Sequence, residues 1–283
     1  MIEIEEETSQ VHVNSRKILK KILPPRLVAG ISAYRWRKYN RESYAKSGIL
    51  DMCQKFVMLY GTTVLYGPFK GLKYTQNSAL THYSTAALLG TYEMELHPWL
   101  ERLSPDKYER ILDIGAAEGY YAVGLAMRAN TPVDAYETEP HSRRSCREMA
   151  ELNGVSNLVR VHSWCNSSKL LQLAGMRCFV VSDCEGFELS LFTPEVVRAL
   201  ARSDLIIELH DGSSSVGTTR KIMESRFART HNLQVVEFKA RDWSASPELS
   251  FLSFLGKDAN RAISEEGRGA NQEWLIAISM LSS

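Results

Sequence analysis

Residues 110–121 constrain the fold more than any other stretch, because an apolar run leads through a glycine-bounded turn into a helical pattern. Asp113 lies near the end of the run, the turn extends from Gly115 to Gly119, and Ala122–Met127 continue at helical spacing. This order is typical of a buried parallel strand, a tight turn and the start of a helix. Glycine is expected where a ligand approaches the backbone closely, because a side chain would occupy the ligand's place.

The residues of the turn indicate which ligand it serves. The dinucleotide pattern G-x-G-x-x-G is not met, because Ala117 and Tyr120 occupy its second and third glycine positions. Asp113 and Glu118 would repel a pyrophosphate, but they suit the ammonium-bearing, sulfonium end of S-adenosylmethionine. The pattern D-x-G-x-x-x-G therefore favours S-adenosylmethionine over NAD, and an ordinary strand-turn-helix of an α/β protein is the alternative.

Apolar runs alternate with helical patterns from Ile111 onward, which predicts an α/β fold with a parallel, doubly wound sheet. Before this region, residues 63–74 predict a hairpin, and a helix is expected from an N-cap at Thr91 to about Leu103. Residues 241–272 are rich in glycine and charge and are expected to form a loop or lid. The predicted strands are residues 110–114, 132–137, 158–162, 178–183, 205–210, 233–238 and 273–279.

The first sixty residues differ in charge from the rest of the chain. Residues 1–10 are acidic and predict a frayed tail, whereas residues 11–60 interleave basic and apolar residues and are divided by Pro24-Pro25. An N-terminal helical extension over residues 1–60 and a main domain over 61–283 are therefore expected. The basic helices leave open peripheral membrane contact or an anionic partner, but an ordinary pair of amphipathic helices with solvated charges is favoured.

Composition limits the partners and the compartment. The net charge of +1 gives no bulk attraction to nucleic acid, so no nucleic-acid partner is expected. The five cysteines are scattered without a C-x-x-C motif, which predicts neither a disulfide framework nor a zinc site and favours a reducing cytoplasm. No signal peptide or transmembrane segment is expected from the acidic N-terminus or the apolar runs. The oligomeric state is left open.

Ligands of a doubly wound sheet bind at the carboxyl ends of its strands. Glu137 ends the second predicted strand, 24 positions after Asp113 (137 − 113), and this spacing favours a role in binding the ribose hydroxyls of the cofactor.

Asp183 ends the fourth predicted strand and begins a run that also contains Glu185 and Glu188. Asp183 is expected to face the methyl-bearing end of the cofactor. Glu185 is a candidate general base or metal ligand, and Glu188 is interpreted as an acidic residue that favours a helix start. His210 ends the fifth strand near Glu208 and is the histidine best placed for proton transfer. The strand ends leave open a metal bound by Asp183, Glu208 and His210, but three ligands inferred in this way make a weak case, so no metal ligand is assigned.

Several of these segments resemble a known family. The segment Asp113-Ile114-Gly115-Ala116 to Gly119-Tyr120-Tyr121 resembles the first motif of class I S-adenosylmethionine-dependent methyltransferases. Three more segments resemble the FkbM-like members of that class: Ala135 to Pro140, Val181 to Glu188, and Leu205 to His210. Ala117 departs from the polar residue usual at its position, and Thr138 replaces a proline. The resemblance covers about residues 60–280.

The resemblance implies a Rossmann-like, seven-stranded methyltransferase sheet with helices on both faces. It also implies O-methylation of a hydroxyl group on a small molecule such as a sugar, glycolipid or secondary metabolite. A methyltransferase for RNA or protein, a non-catalytic cofactor-binding member and an NAD-dependent oxidoreductase are the alternatives. The residues assigned to cofactor binding are Asp113, Gly115, Ala116, Glu118, Gly119, Glu137, Asp183 and, closing over the cofactor, Glu93. Those assigned to catalysis are His210, Glu185 and Asp183, with His210 or Glu185 as the base.

Overall fold

The computed structural model describes residues 49–76, 78–80, 84–211, 217–238 and 272–281. The predicted acidic tail, most of the predicted basic helices and all but the last residue of the predicted lid lie outside these residues. The boundary expected between residues 60 and 61 therefore stays a prediction. In the described part of the chain, no helix has the length and apolar character needed to cross a membrane.

Seven strands of the described residues form one sheet in the order β3-β2-β1-β4-β5-β7-β6. Each strand overlaps one predicted from the sequence, so the seven-stranded, Rossmann-like arrangement is confirmed. The strands are β1 Arg110–Ile114, β2 Val133–Tyr136, β3 Val159–His162, β4 Cys178–Ser182, β5 Asp204–Leu209, β6 His231–Glu237 and β7 Glu273–Ser279.

The sheet is not parallel throughout. Strands β1 to β5 pair in parallel, but β7 lies between β5 and β6 and pairs antiparallel with both. The expectation of an entirely parallel sheet was therefore wrong at this edge. Apolar alternation gives the length of a strand but not its direction, which depends on how the chain returns to the sheet.

The helices follow the strands much as predicted. The region after β4 holds two short helices, which begin at Glu188 and at Pro194. Helix α6 was not predicted, because its five residues are too few to show a helical period. The helices are α1 Ile49–Tyr60, α2 Ser84–Leu89, α3 His97–Leu100, α4 Tyr120–Ala129, α5 Pro140–Leu152, α6 Ser167–Leu171, α7 Glu188–Leu191, α8 Pro194–Ala199 and α9 Thr218–Phe227.

Both faces of the sheet are buried, and alternate strand residues divide between two apolar clusters. In β1, Ile111 belongs to the first cluster, whereas Leu112 and Ile114 belong to the second. The first cluster includes residues of α1, α2, α4 and α5, and the second includes residues of α6, α7, α8 and α9. Since strand side chains alternate between faces, Asp113 projects on the same side as Ile111, toward the first cluster.

Of two local predictions before β1, one is confirmed and one is wrong. The hairpin at residues 63–74 forms without regular strands: Thr63 and Lys73 make an antiparallel bridge, and backbone N–H groups of Val64 and Tyr74 donate to the carbonyls of Leu72 and Thr62, each at 2.8 Å. The helix expected from Thr91 is replaced by a 3-10 turn at Met94–Leu96 followed by α3. Thr91 does not cap it; its hydroxyl donates to the carbonyl of Ala86. Glu93 precedes the turn with φ +46°, a left-handed conformation that a continuous helix would not permit.

Gly115→Ala is expected to destabilise the protein by about 3 kcal/mol or more. Gly115 has φ +90°, and a Cβ there would lie 1.8 Å from the carbonyl oxygen of Asp183, so both backbone conformation and space exclude a side chain. Gly154→Ala is the matched control, because its φ is +70° but nothing lies within 4 Å of an added Cβ. The control should lose only about 1–2 kcal/mol. Urea unfolding of both variants measures the difference, and equal losses would contradict the steric argument.

Candidate functional site

The glycine turn is tied to the strands on both sides of β1. The backbone N–H groups of Gly115 and Ala116 donate to the carbonyl of Tyr136, at 2.8 and 3.0 Å. On the other side, the N–H of Asp183 donates to the carbonyl of Ile114 at 2.8 Å. These bonds hold the carboxyl ends of β1, β2 and β4 together at one edge of the sheet.

The chain's own atoms account for two glycines in this turn. Besides the contact of Gly115 with Asp183, a Cβ on Gly119 would lie 2.8 Å from the sulfur of Cys146. Gly119 also has φ +102°, which L side chains rarely adopt. The glycine pattern alone predicts room for a ligand, whereas at these two positions glycine makes room for the protein itself.

Asp113 is a buried carboxyl group whose environment opposes ionisation. It is 2% exposed, and burial raises its pKa to about 8, helped by the negative charges of Glu137, Asp183 and Glu93. A hydrogen bond from the backbone of Ala122 acts in the other direction. The Oδ2 atom has no hydrogen-bond partner within the described residues. A buried acceptor without a donor is costly unless a ligand supplies one.

Glu137 is held in place by the backbone of the turn. Its Oε2 accepts from the N–H of Ala117 at 2.9 Å, and its Oε1 accepts from the N–H of Glu139 at 2.7 Å. Burial nevertheless raises the pKa of Glu137, since desolvation exceeds the effect of these bonds. Oε1 also accepts from the hydroxyl of Thr138, but only at 3.5 Å, so a ribose hydroxyl could replace this long bond. Oε2 can accept a further hydrogen bond, so the group is oriented and still able to bind two hydroxyls.

Glu93 and Glu118 extend the acidic surroundings of the turn. Glu93 is 2% exposed and accepts a hydrogen bond from the hydroxyl of Tyr121 on α4. Glu118 is also buried, and its charge, after burial itself, contributes to the raised pKa values of Tyr74 and Cys146. Glu93 therefore belongs with Asp113, whereas Glu118 lies toward Tyr74; Cys146 is near both Asp113 and Glu118.

A second group of acidic side chains surrounds His210, and we refer to Asp183, Glu185, Glu188, Glu208 and His210 as the His210 cluster. The imidazole Nδ1 lies 2.7 Å from Oε1 of Glu188. The Nε2 atom lies 3.6 Å from Asp183, 3.8 Å from Glu185 and 3.6 Å from Glu208, measured to a carboxylate oxygen in each case. Glu188 and Glu208 are almost fully buried, whereas the side chain of Glu185 is 77% exposed.

Opposing effects act on the pKa of His210. Burial lowers the pKa, but the hydrogen bond to Glu188 and the charges of Asp183, Glu208 and Glu188 outweigh it and raise the value to about 9. Positive charge at Nε2 is therefore favoured in this environment. When no other cation is bound there, protonation of the imidazole supplies this positive charge.

The structure brings together the residues that sequence analysis placed at strand ends. Asp113, Glu137 and Asp183 interact electrostatically, and Asp183 also faces His210. The sequence missed two partners. Glu188, interpreted as favouring a helix start, does lie in the first turn of α7 but also bonds the imidazole, and Tyr121 bonds Glu93. For Glu188, the only sequence signal of a role beside His210 was the D-x-E-x-x-E spacing from Asp183 to Glu188.

The arrangement of charges decides what the site can bind. Carboxylates line the turn that a dinucleotide site would use for pyrophosphate, so a cation is the suitable ligand. The orphan Oδ2 of Asp113 and the oriented carboxylate of Glu137 fit an ammonium and a ribose diol. In the His210 cluster, one ligand atom from each of Asp183, Glu185 and His210 lies within 4.8 Å of the others, a set able to hold a metal ion.

No family model matches this chain, and no curated protein matches it. Among solved structures, the O-methyltransferase TomG from Streptomyces achromogenes, in complex with SAM, is 14% identical, with 61% of this chain and 74% of that chain covered at a TM-score of 0.41. Precorrin-6y C5,15-methyltransferase from Geobacter metallireducens is 14% identical, with 74% and 94% covered at 0.41. Precorrin 8w decarboxylase from Methanobacterium thermoautotrophicum is 17% identical, with 66% and 90% covered at 0.40.

Asp113→Asn is expected to flatten the pH dependence of stability of the ligand-free protein. The folded pKa of Asp113 is about 8 and the unfolded value is near 3.8, so its stabilising contribution is complete below about pH 4 and is lost as pH rises through 8. The wild-type free energy of unfolding should therefore fall with rising pH relative to the variant, by on the order of a few kcal/mol.

Urea unfolding at pH values of about 5, 6.5 and 8 measures this slope. Asp51→Asn, which removes an exposed carboxyl group in the first turn of α1, is the control for losing a surface charge. Parallel curves for the wild type and Asp113→Asn would contradict the burial argument.

Proposed function

We propose that the protein is an S-adenosylmethionine-dependent O-methyltransferase that acts on a hydroxyl group of a small molecule. The observation that carries this proposal is the buried carboxyl of Asp113, whose Oδ2 meets no donor among the residues that the structure describes, beside a glycine turn surrounded by further carboxylates. A cationic amino-acid end supplies both the donor and the charge that this position lacks, whereas a pyrophosphate would add repulsion.

The proposed cofactor site uses the residues of the turn and of two neighbouring strand ends. When bound, S-adenosylmethionine supplies an electrophilic methyl group on a sulfonium centre. Glu137 accepts the ribose hydroxyls, and Asp113 with Glu93 accepts the ammonium. The full set is Asp113, Gly115, Ala116, Glu118, Gly119, Glu137, Asp183 and Glu93.

The His210 cluster is the proposed transfer site, because Asp183 belongs both to it and to the charges around Asp113. Methylation of a hydroxyl requires that its oxygen be held in line and that its proton leave. Positioning supplies the larger part of the rate, and proton removal adds to it. Asp183, Glu185 and His210 are the groups that position the hydroxyl, and Glu188 orients the imidazole. Glu185 takes the proton, because the raised pKa of His210, about 9, keeps the imidazole protonated near neutral pH.

The charge of the cluster also favours one class of acceptor. Four carboxylates lie around one imidazole, so a phosphate or carboxylate next to the reacting hydroxyl would be repelled. Neutral polyhydroxy compounds such as sugars and hydroxylated secondary metabolites suit this surface, because their hydroxyls donate hydrogen bonds to carboxylates.

S-adenosylhomocysteine is expected to bind the intact protein, and Glu137→Gln should weaken that binding at least about tenfold, since it removes charge-assisted hydrogen bonds to the ribose. Isothermal titration calorimetry measures the affinity. Glu151→Gln, which removes an exposed carboxylate from α5, should leave it unchanged. Absence of binding at concentrations well above the micromolar range would remove the cofactor assignment, and tight NAD binding would replace it.

His210→Ala and Glu185→Gln are each expected to lower methyl transfer by about 100-fold while S-adenosylhomocysteine affinity changes little. Both side chains lie in the proposed transfer site, and neither is assigned to the cofactor. The measurement is transfer of a labelled methyl group to a panel of sugars, glycolipids and hydroxylated secondary metabolites. Undiminished turnover in either variant would remove that residue from the transfer site.

A further inference from the structure

The two nitrogens of the His210 imidazole have different surroundings: Nδ1 contacts Glu188, and Nε2 faces the other carboxylates of the cluster. Nδ1 lies 2.7 Å from Oε1 of Glu188, a carboxylate whose side chain is 1% exposed and which also accepts from the N–H of Gly186 at 3.1 Å. A histidine that binds a metal commonly donates its other N–H to a carboxylate in this way, which fixes the ring and makes the free nitrogen a better ligand.

The distances around Nε2 suit a single ion. Carboxylate oxygens of Asp183, Glu185 and Glu208 lie 3.6 to 3.8 Å from Nε2. Ligand atoms bonded to one ion at about 2.1 Å are roughly 3.0 to 4.2 Å apart. Each carboxylate oxygen therefore already lies at a separation from Nε2 that coordination allows, and the ligand atoms of Asp183, Glu185 and His210 all lie within 4.8 Å of one another.

The carboxylates around Nε2 also differ in solvent exposure. This is expected of a metal site that leaves coordination positions open to water or substrate. Glu208 is almost fully buried and is oriented by Gln272, whose Nε2 donates to its Oε1 at 2.6 Å. Glu185 lies on the solvent side. Glu208, His210 and Asp183 thus approach from the buried and half-buried side and Glu185 from the solvent side, where further positions stay available for water or an acceptor.

We propose that Asp183, Glu185 and His210 bind one divalent transition-metal ion, with Glu208 beside it and Glu188 holding the imidazole. One nitrogen and two or three carboxylate oxygens favour Mn²⁺-like ions over Mg²⁺, because an imidazole ligand is softer than Mg²⁺ prefers. Binding of the ion does not depend on the proposed function; only a part for it in methyl transfer would rest on that proposal.

The test is Mn²⁺ binding by the full chain after treatment with a chelator, followed through the electron paramagnetic resonance signal of free Mn²⁺. One ion per chain is expected. His210→Ala and Glu185→Gln should each weaken binding more than tenfold, and Glu188→Gln about tenfold, because it releases the imidazole. Excess Mg²⁺ should displace the Mn²⁺ poorly.

Two control variants alter similar residues elsewhere. His162 contacts the carboxylate of Asp134 at 2.9 Å, and Glu195 is an exposed carboxylate on α8 paired with Arg198. His162→Ala and Glu195→Gln should leave Mn²⁺ affinity unchanged. Absence of bound Mn²⁺ at millimolar concentrations, or equal affinity in His210→Ala and the wild type, would overturn the proposal.

A measurement on the wild type alone covers the case in which a variant fails to fold. Electron spin echo modulation from a coordinated imidazole nitrogen is expected on bound Mn²⁺, and its absence would overturn the ligand set. Calorimetry with S-adenosylhomocysteine in the presence of chelator separates the two proposals. Cofactor binding without any Mn²⁺ site would overturn only the metal proposal, and a Mn²⁺ site without cofactor binding would support it while removing the proposed function.

Discussion

The contact between Gly115 and the backbone of Asp183 is the constraint on which the site depends. Strands β1 and β4 pair so that Ile114 faces Ser182, and the next residue of each strand comes too close for a side chain at position 115. This contact fixes where both strands end. It thereby sets Asp113 and the glycine turn on one side of Asp183 and the His210 cluster on the other.

Strained backbone conformations occur next to the glycine turn and next to the His210 cluster. Non-glycine residues with positive φ include Glu93, Ala117 and Glu185, all of which border one of the two acidic groups. Each costs of order 1–3 kcal/mol and persists only where the surrounding structure enforces it. The apolar clusters on both faces of the sheet supply that enforcement, since they fix the strands from which these loops emerge.

Periodicity predicts the strands, and the strand ends predict where the polar residues of the site lie. Glu137, Asp183 and His210 are predicted at one edge of the sheet, because the carboxyl ends of parallel strands meet there. The partnership of Glu188 with His210 was not recoverable, because it depends on how the turn at Gly186 aims one side chain. The direction of β7 and the left-handed conformation of Glu93 were missed for a similar reason: tertiary contacts, not local pattern, decide them.

Asp183 couples the two acidic groups. Its charge helps to raise the pKa of Asp113 on one side, and its carboxylate lies 3.6 Å from Nε2 of His210 on the other. Positive charge held near Asp113 therefore reduces the net negative charge felt by the His210 cluster, and the effect is reciprocal by linkage. A site of this kind is suited to bring a cationic donor next to a neutral hydroxyl, and it is poorly suited to an acceptor that carries an anionic group beside the reacting oxygen.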